Sequence, residues 1–189
     1  VLSANLPLVE GELPSESPKV RPTAQYDKDQ VIFISDSDAK QSQIYFYVPV
    51  GKWDKYNSVV VDAYNRYMGS GLDGVVMDEI REKNSMAYTA FAALQSQRLP
   101  GSDIFLIGYV GTQSDKTIDA IKLMVNMIRK MPERPEQIGK LRNYLYQTEF
   151  TGHPDARELS HAIASDRHKG YTEDPAKERV PAIKALTFE

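Results

Sequence analysis

The chain has 189 residues, of which 41% are hydrophobic, 10% aromatic and 26% charged, the composition of an ordinary globular protein. Its 23 Lys and Arg residues against 26 Asp and Glu residues leave a net charge of −3, which argues against nucleic-acid binding because that affinity comes mainly from phosphate neutralisation. The absence of cysteine excludes thiol nucleophiles, Cys-ligated zinc, iron–sulfur clusters and disulfides. No apolar run approaches the ~18 residues of a transmembrane helix. We expect a soluble protein, and the sequence leaves its compartment open, with the bacterial periplasm and cytoplasm as the favoured candidates.

The N-terminal region predicts an extended linker or arm over residues 1–28, since prolines interrupt it repeatedly and no apolar period is sustained. We assign residues 29–189 to a single α+β domain. Within it, the run Val-Ile-Phe-Ile at 31–34 predicts a short buried strand. Alternation over residues 43–50 predicts a second strand, antiparallel to the first.

Helical periodicity then predicts a helix over residues 54–68, a Gly-rich joint at 69–71 and a second helix over 72–83. Two strands follow at 86–97 and 103–110, joined by a hairpin loop. Three further helices are predicted, the first beginning at Ser114 or Asp115 and ending near 131, the others over 136–150 and 155–167. Residues 170–180 are predicted as a loop, and the last ten residues barely begin another element.

The predicted order is β-β-α-α-β-β-α-α-α. Strands occur in antiparallel pairs and helices in groups, which favours an α+β fold over a Rossmann-type alternation. We therefore expect an antiparallel-rich sheet with α-helices packed on one face.

The common catalytic motifs are absent from the sequence. It contains no Gly-x-Ser-x-Gly nucleophile elbow, no phosphate-binding loop and no Gly-x-Gly-x-x-Gly after a strand. The three histidines, His153, His161 and His168, are spaced by eight and seven residues. Seven residues of helix separate two side chains by about 10 Å, too far to share one ion, so we predict no metal site in this chain.

The most informative stretch is residues 67–88, in which the Gly-rich joint leads to a helix ending in Arg-Glu-Lys and a strand beginning with Ala-Tyr. Arg81 and Tyr88 are seven residues apart across the predicted turn. Two such donors aimed at one point suit a peptide carbonyl or a developing oxyanion. The alternative is a helix-capping Arg and a half-buried core Tyr.

This stretch resembles the signature of the C-terminal halves of the pitrilysin/insulinase family of zinc peptidases, which includes mitochondrial processing peptidase. Residues 38–43 resemble the opening of that family's second strand, and residues 108–112 resemble the strand end before its long helix. The resemblance covers about residues 20–189. It implies the family's α+β half-domain, of the ferredoxin-like or split β-α-β type, here truncated at its C terminus.

The resemblance also implies a division of labour between two homologous halves. In the family, one half bears an inverted zinc motif, His-x-x-Glu-His, and the other half supplies an Arg and a Tyr that match Arg81 and Tyr88. This sequence has no His-x-x-Glu-His, so the zinc is expected in a partner half, in the same polypeptide or a separate subunit. The implied function is that of the substrate-binding, non-metal half of a zinc metalloendopeptidase that hydrolyses peptides, inactive alone. Two alternatives remain open, a non-catalytic scaffold or peptide-binding homologue of the same family, and an unrelated α+β binding domain.

Overall fold

A computed structural model describes residues 19–69, 74–152 and 154–188 of the chain. Three strands and six α-helices are found in these ranges, with short 3₁₀ turns leading into several of the helices. In chain order they are β1 (Gln41–Lys52), α1 (Ser58–Gly69), α2 (Val75–Met77), which continues into a π-helical turn (Asp78–Lys83), β2 (Ala87–Ser96), β3 (Asp103–Gln113), α3 (Thr117–Arg129), α4 (Ile138–Thr151), α5 (Leu159–His168) and α6 (Ala176–Ala185).

The strands form one antiparallel sheet in the order β1-β3-β2. β3 is the central strand, with Val110 opposite Ile44 on one side and opposite Ala90 on the other. Helices cover one face of this sheet, where the larger of two buried clusters joins the sheet to α1, α3 and α4. The predicted α+β architecture, with helices on one face of an antiparallel sheet, is confirmed.

The edge of β2 is partly covered by α1. The side-chain amide of Asn65 donates to the Leu94 carbonyl oxygen at 2.9 Å and accepts from the Leu94 N–H at 2.6 Å, as a neighbouring strand would. Gly69 ends α1 against the same strand, where an added Cβ would lie 2.4 Å from the carbonyl oxygen of Ala92. This close approach requires glycine.

An extended segment of residues 21–26, which we call the arm, crosses the opposite side of the sheet. The backbone N–H and C=O of Arg21 pair with the side-chain amide of Gln97 at 3.0 and 2.6 Å. The N–H and hydroxyl of Thr23 both donate to Asp103, and the Tyr47 hydroxyl donates to the Ala24 carbonyl oxygen at 3.0 Å. Residues 1–18 of the predicted linker lie outside the described residues.

The predicted strand at residues 31–34 is wrong. These four side chains are 81–95% exposed and belong to no strand, and the sheet begins only at β1. Their apolar, β-branched composition favours a strand. A strand also needs a paired edge and apolar cover, and the described part of the chain supplies neither.

The predicted loop over residues 170–180 is wrong in its second half, because α6 already begins at Ala176 and runs to Ala185. Pro181 within this helix weakens the sequence signal. Contacts distant in sequence stabilise it. Ile183 is fully buried, and the Arg179 guanidinium pairs with Glu149 of α4 at 2.6 Å and Asp62 of α1 at 2.9 Å. None of the helices in the described ranges is long and apolar enough to cross a membrane.

Candidate functional site

The two predicted site residues lie in the segment that links α2 to β2, residues 78–88. From here on we call this segment the joint, as distinct from the Gly-rich residues 69–71. Its helix ends in a six-residue π-helical turn that contains Arg81. The wider turn is held by hydrogen bonds from the Ser85 N–H to the Arg81 carbonyl oxygen and from the Met86 N–H to the Ile80 carbonyl oxygen, both 2.9 Å. Ser85 takes a left-handed backbone conformation, φ +49°, which reverses the chain into β2. π-Helical turns are rare and frequently lie at functional sites.

The joint is braced from outside by Arg134, which lies between α3 and α4. Its guanidinium donates to the carboxylates of Asp78, at 2.5 Å, and Glu79, at 2.7 Å. Glu79 also accepts from Lys83 at 2.7 Å. The bond to Arg134 lowers the pKa of Asp78, and the bonds to Lys83 and then to Arg134 lower the pKa of Glu79. The two carboxylates therefore stay ionised and hold the π-helical turn in place at neutral pH.

Two further contacts fix the far side of the joint. The Lys116 ammonium donates to the Ser85 carbonyl oxygen at 3.0 Å, and the fully buried Thr112 hydroxyl donates to the Met86 carbonyl oxygen. The backbone between Arg81 and Tyr88 is thus tied to β3 and to the 3₁₀ turn that precedes α3. A rigid backbone is what two donors need if they are to meet one substrate group.

Tyr88 lies in a β-bulge at the start of β2. Ala87 pairs with Thr112 and Thr89 with Gly111, so Tyr88 is an extra residue in the ladder. The burial pattern shifts accordingly, because Ala87 and Ala90 are buried whereas Tyr88 and Thr89 are both exposed. The bulge therefore turns the phenol out of the helix-covered core, and bulges commonly re-aim side chains beside active sites.

Both predicted site residues are accessible. The Tyr88 side chain is 63% exposed, and the Arg81 side chain is 46% exposed, with its Nε 3.5 Å from Glu82. They lie on either side of the turn that opens β2, so they belong to one end of the sheet. Their convergence on a single substrate group stays a prediction.

The donor set for a zinc ion does not occur in the described residues. His161 and His168 are exposed, His153 lies outside the described residues, and no group of three or more His, Asp or Glu side chains there is arranged to hold a metal. The described residues therefore form no donor set of their own for zinc, which the family resemblance assigns to a partner half.

Two features of the site were beyond the sequence reasoning. Arg134 was not singled out, because its contacts to Asp78 and Glu79 span 56 and 55 residues. The side of the sheet opposite the helices was not recognised as aromatic, although the alternation of Tyr45, Tyr47 and Pro49 along β1 carried that signal.

Comparison with known proteins gives a consistent result. The chain is similar to a peptidase M16 inactive domain from Pseudomonas fluorescens (13% identity, TM-score 0.60, covering 79% of this chain and 35% of that one). It is also similar to a proposed zinc protease from Bordetella pertussis Tohama I, at 12% identity and a TM-score of 0.53, covering 77% of this chain and 87% of that one. A third similar structure is a protease from Helicobacter pylori, at 12% identity and a TM-score of 0.53, covering 79% of this chain and 39% of that one. The structural similarity, with TM-scores of 0.53 to 0.60, shows a shared fold, and at identities of 12–13% it shows no more than that.

The chain spans little more than a third of the Pseudomonas and Helicobacter chains. No curated protein sequence matches it significantly. The sequence model described as "Peptidase M16 inactive domain" matches residues 4–140, most of the chain and all of the region from the arm to β3 and α3. This chain belongs to the family of peptidase M16 inactive domains.

Proposed function

We propose that this chain is the substrate-binding, non-metal half of a zinc metalloendopeptidase, and that Arg81 and Tyr88 act on the substrate at the zinc site of a partner half. The observation that carries the proposal is the braced joint, because it presents both side chains to solvent from a fixed backbone. Membership of the M16 inactive-domain family supports the pairing with a zinc-bearing half.

The two side chains suit a role as donors to a peptide. A guanidinium offers a planar fork of N–H groups to a backbone carbonyl, and a phenol offers one O–H donor. Arg81 would hold the substrate backbone, and Tyr88 would donate to the carbonyl oxygen as it gains negative charge. Zinc bound in the partner half would supply the hydrolytic chemistry.

Replacement of Tyr88 by Phe in the assembled enzyme tests this role. Loss of one oxyanion donor lowers kcat by roughly 10²–10³-fold, so we expect a fall of that size in kcat with the zinc content unchanged. Tyr56→Phe is the matched control, because Tyr56 is also exposed but lies before α1, away from the joint. Unchanged turnover in Tyr88→Phe would refute the catalytic role of this phenol.

Replacement of Arg81 by Lys tests the second donor. Lysine keeps the charge and loses the planar fork. We expect KM to rise if Arg81 holds the substrate backbone, since that contact is made in the ground state as well as in the transition state. Kinetics identical to wild type would remove Arg81 from the site.

The alternative function is a non-catalytic scaffold or peptide-binding homologue of the same family. The aromatic surface of the sheet described below supports a peptide-binding role that needs no hydrolysis. The two functions differ in the partner half, because only the enzyme needs the His-x-x-Glu-His motif there. Zinc analysis of the assembled protein, with a hydrolysis assay sensitive to chelator, distinguishes them.

A further inference from the structure

The side of the sheet opposite the helices is a surface rich in aromatic residues, with its charge confined to one end. We call it the outer face. Strand register assigns to it alternate residues of each strand: Gln43, Tyr45, Tyr47 and Pro49 of β1, Phe105, Ile107, Tyr109 and Gly111 of β3, and Thr89, Phe91, Ala93 and Gln95 of β2. The same alternation places a charged residue on this face, Asp103, at the end of β3 where it pairs with Lys52 and binds the arm. Away from that end none of these side chains carries a charge, although 26% of the chain's residues are charged, and a surface meant only for water would carry more charge.

Three rings form a row across the strands of the outer face. The ring centroids of Tyr45 and Tyr109 are 5.1 Å apart, and those of Tyr109 and Phe91 are 5.8 Å apart. We call these three residues the aromatic ladder. Tyrosine and other aromatic side chains dominate the energetics of protein interfaces, because they bury a large area at low entropic cost. The Tyr45 side chain is 70% exposed, so the ladder is open to a ligand.

The arm shows how the outer face holds an extended peptide. Side chains of Gln97, Asp103 and Tyr47 bind backbone groups of Arg21, Thr23 and Ala24. Only one further bond, from the Thr23 hydroxyl to Asp103, involves a side chain of the arm, so these contacts are mainly with the main chain. The arm also places an aromatic side chain on a ring of the face. The centroid of Tyr26 lies 5.9 Å from that of Tyr47, in an edge-to-face arrangement.

The aromatic ladder continues the outer face from the arm towards the site. Tyr45 and Tyr109 lie two residues along their strands from Tyr47 and Ile107, on the side away from the arm. On β2, Phe91 is followed towards the bulge by Thr89 and Tyr88, which are both exposed. The ladder therefore lies between the segment that binds the arm and the phenol of the proposed site.

We propose that the aromatic ladder is a specificity subsite for an extended peptide, and that it takes an aromatic or branched apolar side chain a short distance from the group held by Tyr88. The inference deepens the proposed function, on which it rests for the class of substrate. The ladder rejects a carboxylate at the same position, because the rings offer such a group no compensating charge and remove part of its water.

A binding titration of the full 189-residue chain tests the proposal. The probes are two fluorescently labelled peptides of Gly, Ser and Thr with blocked ends, which differ only in a central Phe or Asp, and the readout is fluorescence anisotropy. We expect the Phe peptide to bind about tenfold more tightly than the Asp peptide, the ratio produced by one well-packed aromatic contact. Equal binding of the two peptides, or no binding of either, overturns the proposal.

Variants locate the contact. Tyr45→Ala and Tyr109→Ala should each weaken binding of the Phe peptide about tenfold and leave the Asp peptide unaffected. Tyr56→Ala, which removes an equally large exposed tyrosine outside the sheet, should leave both unaffected. If Tyr109→Ala does not fold, as judged by circular dichroism, Tyr45→Ala decides the question, because its exposed ring contributes little to the core. Wild-type binding by Tyr45→Ala overturns the proposal.

The outcome is separable from that of the proposed hydrolytic role. Discrimination between the peptides without any effect of Tyr88→Phe on turnover would retain the subsite and remove the catalytic role of Tyr88. A large fall in turnover in Tyr88→Phe without discrimination between the two peptides would retain the catalytic role of Tyr88 and remove the subsite.

Discussion

The contact of Arg134 with the joint is the most direct place to test whether a braced backbone matters. Arg134→Met keeps a long apolar side chain and removes the guanidinium that pairs with Asp78 and Glu79. The Arg134 side chain is 18% exposed, and those of Asp78 and Glu79 are 32% and 20% exposed. The loss should therefore fall between the ~0–1 kcal/mol of an exposed ion pair and the ~3–5 kcal/mol of a buried one, at about 2 kcal/mol.

Urea unfolding measures this loss through the single tryptophan, Trp53, which is buried beside α1. With a slope of about 2 kcal/mol per M, the midpoint of Arg134→Met should fall by roughly 1 M. Arg98→Met is the control, because Arg98 is likewise an ion-paired arginine but has a single carboxylate partner, Asp62, and is 46% exposed. Its midpoint should shift by much less. Equal shifts in the two variants would refute the argument that this brace is special.

The pH dependence of the same measurement identifies the cause. Arg134 and Lys83 lower the pKa of Asp78 and Glu79 in the folded state. The contribution of these two carboxylates to the stability of the fold is therefore complete above their unfolded-state pKa values of about 4, and it is lost as pH falls through their lowered folded-state pKa values. The difference in stability between wild type and Arg134→Met should accordingly shrink below about pH 4. A difference that stays constant down to the acid limit would attribute the loss to packing instead of charge.

Two further predictions concern backbone packing and the arm. Gly69→Ala should lower the free energy of unfolding by about 2 kcal/mol, because the new Cβ would overlap the Ala92 carbonyl oxygen. The control, Gly139→Ala, lies in open space within α4 and should raise the free energy of unfolding by ~0.5–1 kcal/mol. Equal urea midpoints for the two variants would contradict the close approach of Gly69 to Ala92. Bonds from Lys52 and then Thr23 lower the pKa of Asp103 to about 2, so attachment of the arm should be complete above about pH 4 and fail as pH falls through about 2. At neutral pH, Asp103→Asn should speed tryptic cleavage after Lys28, and unchanged cleavage would show that Asp103 does not retain the arm.

Local periodicity predicted the elements whose signals lie within their own sequence. α1, α3, α4, β2 and β3 form close to the predicted ranges because their apolar spacing matches the face that packs on the core. α6 was missed because its stabilisation comes from distant partners, with Arg179 reaching Asp62 over 117 residues. For residues 31–34 the error is the reverse, because a strand is predicted where none forms. The β propensity of these residues does not by itself supply a neighbouring strand.

The candidate site likewise combines features that the sequence predicts with features that depend on tertiary contacts. The spacing of Arg81 and Tyr88, together with the family resemblance, predicts these two residues as the site, and their role stays a prediction. The bulge that exposes Tyr88 breaks the strict alternation on which strand reasoning depends. The braces from Arg134, Lys116 and Thr112 are tertiary contacts, which a single sequence does not encode in any local pattern.

The exposed run at residues 31–34 has a consequence for handling the protein. Four consecutive β-branched or aromatic side chains in water form the core of a segment that favours stacking of identical chains into fibrils. Lys28 and Asp29 precede this run, and Asp36 and Asp38 follow it. These charges act as gatekeepers, because in-register stacking would bring like charges together at every layer. Neutralising the two aspartates after the run should therefore promote fibril formation, visible as thioflavin fluorescence, while the folded sheet and its helices stay unchanged.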